Sequence, residues 1–203
     1  MKKLCVLFTV FAVLCLVSAA YAIKPGDCKY VKDDKIKVDD NGYIMSWLIL
    51  DPYINGGAAA AAAAAIDYFE AQGGEANIMP KEGDKVKIAA DKQEHVWARL
   101  NFADLKAMGE IPAAVGGNEL DITCWGGQGP SNTQEFLVTY LMWNKKTTVS
   151  FTVGSDDGGR LYCNGKKLID SPGDKDWGAG NCGSNDIDVT GGKWNIVVVG
   201  CYE

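Results

Sequence analysis

The sequence predicts an all-β protein, an antiparallel β-sandwich with one short alanine-rich helix. Within residues 147–153, Val149, Phe151 and Val153 lie on one side and Thr148, Ser150 and Thr152 on the other, which is the pattern of a strand with one buried face. Asn164-Gly165 stands between two short apolar runs and is typical of a tight β-hairpin turn. The 24 glycines of the 203-residue chain also favour many short strands joined by turns.

The first 22 residues have the features of a secretory signal peptide. Two lysines precede an apolar run over residues 4–17, and small residues then lead to an A-x-A cleavage pattern that ends at Ala22. We therefore expect residues 1–22 to be removed and residues 23–203 to form a single secreted domain, in the periplasm or outside the cell. Because no second long apolar stretch follows, we expect no transmembrane segment after cleavage.

The acidic composition narrows the class of partner. The chain carries 20 basic and 26 acidic residues. Removal of the leader takes away two lysines and no acid, so the remaining charge is 18 − 26 = −8. Phosphate recognition needs a basic face, and we therefore expect no nucleic-acid partner.

The first elements of the domain are a predicted strand and a predicted helix. The apolar run over residues 43–50 has the length of a buried strand, and an Asp-Pro pair ends it. Eight consecutive alanines, Ala58–Ala65, begin a segment that continues to Ala71 before two glycines. Alanine has the highest helix propensity and glycine commonly ends a helix, so we predict a short helix here. A flexible low-complexity linker is the alternative.

From Lys85 onward the pattern turns to strands. After the alternating segment at 147–153, residues 160–163 and 166–169 flank Asn164-Gly165 as the two arms of a hairpin. Residues 193–202 form a final β-branched run. No repeat and no change of composition divides the chain after the leader into two domains.

Cysteine usage suggests disulfides in an oxidising compartment. Five cysteines follow the leader, so two bridges and one unpaired thiol are expected, without a unique pairing. A Cys163–Cys182 or Cys182–Cys201 bridge would pin the loop before Cys182, stabilising it by about 3 kcal/mol. The alternative is that all three are reduced, buried residues. The other two cysteines are Cys28 and Cys124.

Several sequence blocks resemble the galactose-binding-like jelly-roll modules of secreted bacterial proteins, and the later blocks also resemble the sandwich domain of the anthrax-protective-antigen type. The blocks keep their order over the whole chain after the leader. They are Trp47–Tyr53, Gly73–Glu75, Pro80–Gly83, Gly154–Gly158, Asn164-Gly165 and Gly192–Asn195. The resemblance implies a jelly-roll sandwich that binds carbohydrate or acts as a spacer.

The same resemblance implies a calcium site at Asp156-Asp157-Gly158. In calcium-dependent sugar-binding members, two adjacent aspartates hold the ion and a downstream loop asparagine completes its cage. Calcium prefers six to eight oxygen ligands, and sugar hydroxyls can complete the coordination sphere. We expect Asp156, Asp157, Asn185 and Asp186 as metal ligands. The alternative is ordinary turn chemistry, in which these side chains bond their own backbone.

One loop tryptophan is the best candidate for contact with a sugar ring. Trp177 lies between glycines and charged residues, where a core position is harder to explain than for a tryptophan within a strand-like run. Together with Asp156, Asp157 and Asn185 it forms the expected ligand-binding set. Trp125 is a second candidate, and packing that anchors the loop is the alternative for both.

Catalysis is not expected. The only histidine, His95, lies among apolar neighbours and is interpreted as structural, and no nucleophile, phosphate loop or metalloprotease motif is present. The sequence therefore predicts a secreted non-catalytic binding module for a glycan or cell-surface polysaccharide, and the resemblance implies that Ca²⁺ assists the binding. The alternative function is a structural or adhesive surface domain that acts through protein contacts.

Overall fold

The fold is an antiparallel β-sandwich, as the sequence predicts, seen in a computed structural model that describes residues 29–30, 44, 46–51, 54–55, 65–88, 92–101, 133–155, 157–173 and 180–202. The expected leader, residues 1–22, lies outside these ranges. The strands are β1 (Lys29–Tyr30), β2 (Ser46–Asp51), β3 (Ile54–Asn55), β4 (Lys85–Lys87), β5 (Glu94–Asn101), β6 (Thr133–Met142), β7 (Thr147–Val153), β8 (Gly158–Cys163), β9 (Lys166–Ser171), β10 (Gly183–Val189) and β11 (Trp194–Tyr202).

The larger sheet is built around the two long strands β6 and β11. Its order is β4-β5-β2-β6-β11-β8-β9, and the two-residue strands β1 and β3 also pair with β6. All of these pairings are antiparallel except that of β1. Both faces of this sheet are covered, which explains why β11 is apolar in almost every position instead of alternating.

The smaller sheet consists of β7 and β10, paired from Thr147↔Val189 to Val153↔Gly183. The alternation predicted for residues 147–153 is confirmed, because Phe151 and Val153 are buried while Thr148, Ser150 and Thr152 are exposed. These side chains pack on one face of the larger sheet against Leu137, Leu161 and Val199. This layer is the second sheet of the sandwich.

The hairpin between β8 and β9 is confirmed, and its turn requires both predicted residues. Asn164 and Gly165 have φ values of 52° and 80°, a conformation that asparagine and glycine tolerate best. The Asn164 side chain also ties the turn to β11. Its amide donates to Asn195 Oδ1 at 2.8 Å, and its Oδ1 accepts the Ile196 N–H at 3.0 Å.

An irregular segment, residues 65–88, covers the other face of the larger sheet. It contains two one-turn 3₁₀ helices, Glu70–Gln72 and Glu75–Asn77, and then β4. Its buried side chains pack on Leu50, Trp97, Phe136 and Val138 of the sheet. The second core therefore depends on loop residues rather than on a second regular layer.

The predicted helix over residues 58–71 is described only in its last part. Residues 58–64 lie outside the described ranges, and from residue 65 the chain forms turns and the 3₁₀ helix at Glu70–Gln72. Asp67 explains the tight turns, since its Oδ1 accepts the N–H groups of Phe69 at 2.9 Å and of Glu75 at 3.0 Å. Such side-chain bonding to the local backbone competes with helix propagation. No helix among the described residues has the length and apolar character needed to cross a membrane.

Candidate functional site

Loops at one end of the sandwich meet beside the start of β8. The Asn181 amide donates to the Ser155 carbonyl at 2.7 Å, and its Oδ1 accepts the Ser155 N–H at 3.0 Å. The neighbouring Cys182 N–H donates to the carbonyl of Val153, the last residue of β7, at 3.2 Å. These bonds fix the residues before β10 against the turn that follows β7.

The far end of β9 arrives at the same place. Gly158 packs so closely on this strand that a Cβ at position 158 would lie 2.7 Å from the Ser171 carbonyl oxygen, and only glycine fits there. The loop over residues 174–179, which contains Trp177, is bounded by Gly173 and Gly180. Both of its ends therefore stand next to the 154–158 turn. We use the name loop end for three segments together: the 154–158 turn, residues 171–173 and residues 180–182.

The structure places the expected ligand-binding residues unevenly. Asp157 is half-buried within the loop end. Asp156, Trp177 and Trp125 lie outside the described residues, so the structure gives no geometry for them. The asparagine that contacts the acidic turn is Asn181, which the sequence analysis did not select.

Asn185 and Asp186 are not brought together in the loop end. Both lie within β10, and neighbouring residues of a strand point to opposite faces. The Asn185 amide donates to the Leu168 carbonyl at 2.9 Å, and its Oδ1 accepts the Asp186 N–H at 2.9 Å. Asp186 lies on the outer face with Ser184 and Asp188, directly opposite Ser150 of β7. The two side chains therefore project to opposite faces of β10, and with Asp156 outside the described residues the expected calcium cage stays a prediction.

The described residues contain no group of three or more His, Cys, Asp or Glu side chains that could hold a metal ion. His95 is fully buried on β5, opposite Val86 of β4, as expected for a structural histidine. The loop end thus offers Asp157, the Asn181 region and backbone polar groups.

The expected disulfides are absent from the described residues: Cys163, Cys182 and Cys201 are free thiols. Cys182 packs on Gly159, which pairs with Cys201, whereas Cys163 lies four residues further along β8. Four residues of a strand span about 13 Å, so Cys182, which lies beside Gly159, is too far from Cys163 to form a disulfide with it. Burial raises the pKa of Cys163 to about 11 and that of Cys201 to about 12, which keeps both thiols protonated and unreactive. Cys28 and Cys124 lie outside the described ranges.

A second polar group lies on the opposite face of the larger sheet, where the irregular segment meets β8. Arg160 Nη1 donates to Glu75 Oε2 at 2.7 Å, and these side chains are only 5% and 1% exposed. The Tyr162 hydroxyl donates to the same Glu75 oxygen at 3.3 Å. The Arg160 guanidinium also lies 5.2 Å from the centre of the Tyr202 ring, within cation–π range. We call these four residues the buried ion-pair cluster.

Burial dominates the electrostatics of this cluster. It raises the pKa of Glu75 above the ordinary 4.5, and the attraction of Arg160 offsets this only in part. Burial alone would lower the pKa of Arg160, yet Tyr202 and Glu75 together raise it above its ordinary range. Burial also raises the pKa of Tyr162 to about 12. At neutral pH the cluster therefore holds a permanent guanidinium and two neutral phenols beside a carboxyl group whose pKa is raised.

The buried ion-pair cluster is structural in its geometry. Glu75 belongs to the irregular segment and Arg160 to the sheet, so their bond fastens one to the other. Sequence reasoning missed both residues, because each stands in an unremarkable local context. The available signal was a lone arginine in a run of otherwise uncharged residues, Gly158–Cys163.

Comparison with known proteins gives no family assignment, since no protein-family model matches the chain and no curated protein matches it significantly.

Proposed function

We propose that the protein is a secreted, non-catalytic module that binds a glycan or cell-surface polysaccharide at the loop end. The observation that carries the proposal is the double hydrogen bond between Asn181 and Ser155. It joins the acidic 154–158 turn to the loop that contains Trp177. Acceptor oxygens and backbone groups are thereby supplied by neighbouring segments, and sugars are commonly recognised by such groups together with an aromatic ring, for which Trp177 is the sequence candidate.

The site belongs to loops held by a rigid scaffold, which is the usual arrangement for recognition sites on β-sandwiches. Gly158 and Asn181 hold residues 171–173 and 180–182 close to the 154–158 turn. These residues therefore have little conformational entropy to lose when a ligand binds. The acidic surplus of the chain suits a neutral, hydroxyl-rich ligand better than an anionic polymer. These features support a binding role without requiring catalytic groups.

Trp177→Ala is expected to weaken binding in a polysaccharide panel by about tenfold or more, since an aromatic contact of roughly 1.4 kcal/mol corresponds to that factor. Asn181→Ala is expected to weaken glycan binding as well, because it removes the two hydrogen bonds that hold the residues before β10 against the 154–158 turn. Asn185→Ala is the matched control, since it also removes a side-chain amide bonded to a carbonyl but within β10. Isothermal titration against the strongest polysaccharide measures all three. Absence of any glycan binding, or equal losses in Asn181→Ala and Asn185→Ala, would contradict the proposal.

Calcium assistance is a separable part of the proposal and depends on the two aspartates of the acidic turn. If Ca²⁺ is held there, adding EDTA is expected to lower the melting temperature of the wild-type protein by several degrees and that of Asp157→Ala by much less, since a ligand bound only by the folded state stabilises it. Differential scanning fluorimetry with and without Ca²⁺ gives the comparison. An identical response of the two proteins to EDTA would leave Asp156-Asp157 as turn residues, and glycan binding would then be independent of metal.

A further inference from the structure

The smaller sheet has an edge that the rest of the described chain leaves open. Among the described residues β7 pairs with β10 alone, so every second peptide group of β7 points away from its only neighbour. Thr148, Ser150 and Thr152 are exposed on the outer face of this strand, while Val149 on the inner face is only partly buried. An open edge of seven residues is long enough to accept another strand.

β7 also lacks the features that normally protect an edge. The strand reads Thr-Thr-Val-Ser-Phe-Thr-Val, with no charged residue, no proline and no glycine, and no bulge interrupts its pairing with β10. Natural edge strands usually carry an inward or central lysine, a proline or a bulge that prevents pairing with other chains. The acidic residues of the smaller sheet, Asp186 and Asp188, lie on β10 instead.

We propose that β7 is a dimerisation strand that pairs antiparallel with β7 of a second copy, across a two-fold axis at Ser150. This register uses the whole strand and keeps the apolar faces of both copies on the same side. It places Thr148 opposite Thr152 of the second copy and Val149 opposite Phe151. Cross-strand pairs of β-branched, aromatic and threonine side chains are favourable. The two small sheets become one four-stranded sheet.

Charge complementarity argues for a second copy as the partner. Lys145 and Lys146 precede β7, and the acidic turn follows it. Antiparallel pairing brings the basic end of one strand to the acidic end of the other, with Lys145 diagonal to Asp157 of the second copy. The centre of the contact is uncharged, so the net negative charge of each copy contributes little repulsion where the strands meet.

Sedimentation velocity across a concentration series tests the proposal. The wild-type protein is expected to show a concentration-dependent dimer. Ser150→Glu places two like charges directly opposite each other at the axis and should raise the dimer dissociation constant by about tenfold or more. Ser184→Glu is the matched control, because Ser184 is exposed on the same outer face but belongs to β10, and it should leave the dimer intact.

A charge-swap mixture identifies the strand and the register together. Ser150→Lys alone should also weaken the dimer, whereas an equimolar mixture with Ser150→Glu should form a heterodimer. Thermal melting of each variant establishes that it is folded, and Ser150→Lys has the favourable neighbour Asp186 if Ser150→Glu does not fold. A wild-type protein that stays monomeric, a dimer weakened equally by Ser150→Glu and Ser184→Glu, or a mixture that fails to recover would overturn the proposal. These measurements contain no glycan, so their outcome is independent of the proposed binding function.

Discussion

Arg160→Met is expected to lower the free energy of unfolding by about 3–5 kcal/mol at neutral pH. Glu75 is 1% exposed and its Oε2 takes its shortest hydrogen bond from Arg160. Methionine fills the arginine volume but leaves the carboxyl group without its counter-charge in a buried place. Guanidinium chloride denaturation of the two proteins under identical conditions measures the difference.

The free energy of unfolding that Arg160→Met removes should depend on pH, and Glu75 sets the direction of that dependence. Its folded-state pKa is raised above the ordinary 4.5, so the stability associated with the protonated form is complete below about pH 4.5 and is lost as the pH rises through the raised value. Arg160 remains charged throughout this range. Arg160→Met should therefore cost least at acidic pH, where Glu75 is neutral and needs no partner, and most at pH values above its raised pKa, where Glu75 is ionised.

The control is a variant that removes both charges. Glu75→Leu/Arg160→Met should be close to the wild-type protein in stability, because replacing a buried ion pair with apolar residues of similar volume is often neutral. If the double variant were as unstable as Arg160→Met at every pH, lost packing rather than an unpaired carboxyl group would explain the single variant. The assignment of the buried ion-pair cluster would then be wrong.

Strands with strong local patterns could be predicted from sequence. The alternation at 147–153, the Asn164-Gly165 turn and the β-branched run before Tyr202 each determine their conformation through neighbouring residues, and all three predictions are confirmed. The strand expected at 43–50 is observed at Ser46–Asp51, and residues 43 and 45 lie outside the described ranges. Local chemistry sets these elements, and tertiary contacts adjust only their ends.

Contacts between distant segments could not be predicted in the same way. Glu75 and Arg160 are 85 residues apart, and nothing near either residue indicates the other. The choice of Asn185 over Asn181 has a similar cause, because both asparagines follow the same loop. Only the register of β10 shows that Asn185 lies within the strand and Asn181 before it.

The cysteines illustrate the limit of compartment arguments. A predicted secreted location favours disulfides, yet pairing depends on which thiols the sheet places within reach. Cys182 packs on Gly159 of β8, four residues before Cys163, so the predicted Cys163–Cys182 bridge is out of reach. Residue spacing in the sequence carries no information about that offset.

Phe69→Ala is expected to cost about 3–5 kcal/mol, the range for truncating a buried phenylalanine. Phe69 is 1% exposed, and its ring packs edge-on against Phe136 at 4.9 Å and beside Trp97 at 6.2 Å. It is the main apolar anchor between the irregular segment and the larger sheet, as Arg160 is the main polar one. Ile66→Ala is the control, since Ile66 is 39% exposed and should change stability by no more than about 0.5 kcal/mol.

Because Phe69 and Glu75 belong to the same short segment, the two anchors should not act independently. Once Phe69→Ala has loosened the segment, Glu75 can reach water, and Arg160→Met should then cost less than it does in the wild-type background. A double-mutant cycle between Phe69→Ala and Arg160→Met is expected to give a coupling of roughly 0.5–3 kcal/mol, with the double variant more stable than the sum of the single losses predicts. Additivity within about 0.3 kcal/mol would mean that the segment is held at two separate points, each strong enough to keep its own part in place. Coupling in the expected direction would instead identify residues 65–88 as one cooperative layer, which closes the second core of the sandwich as a unit.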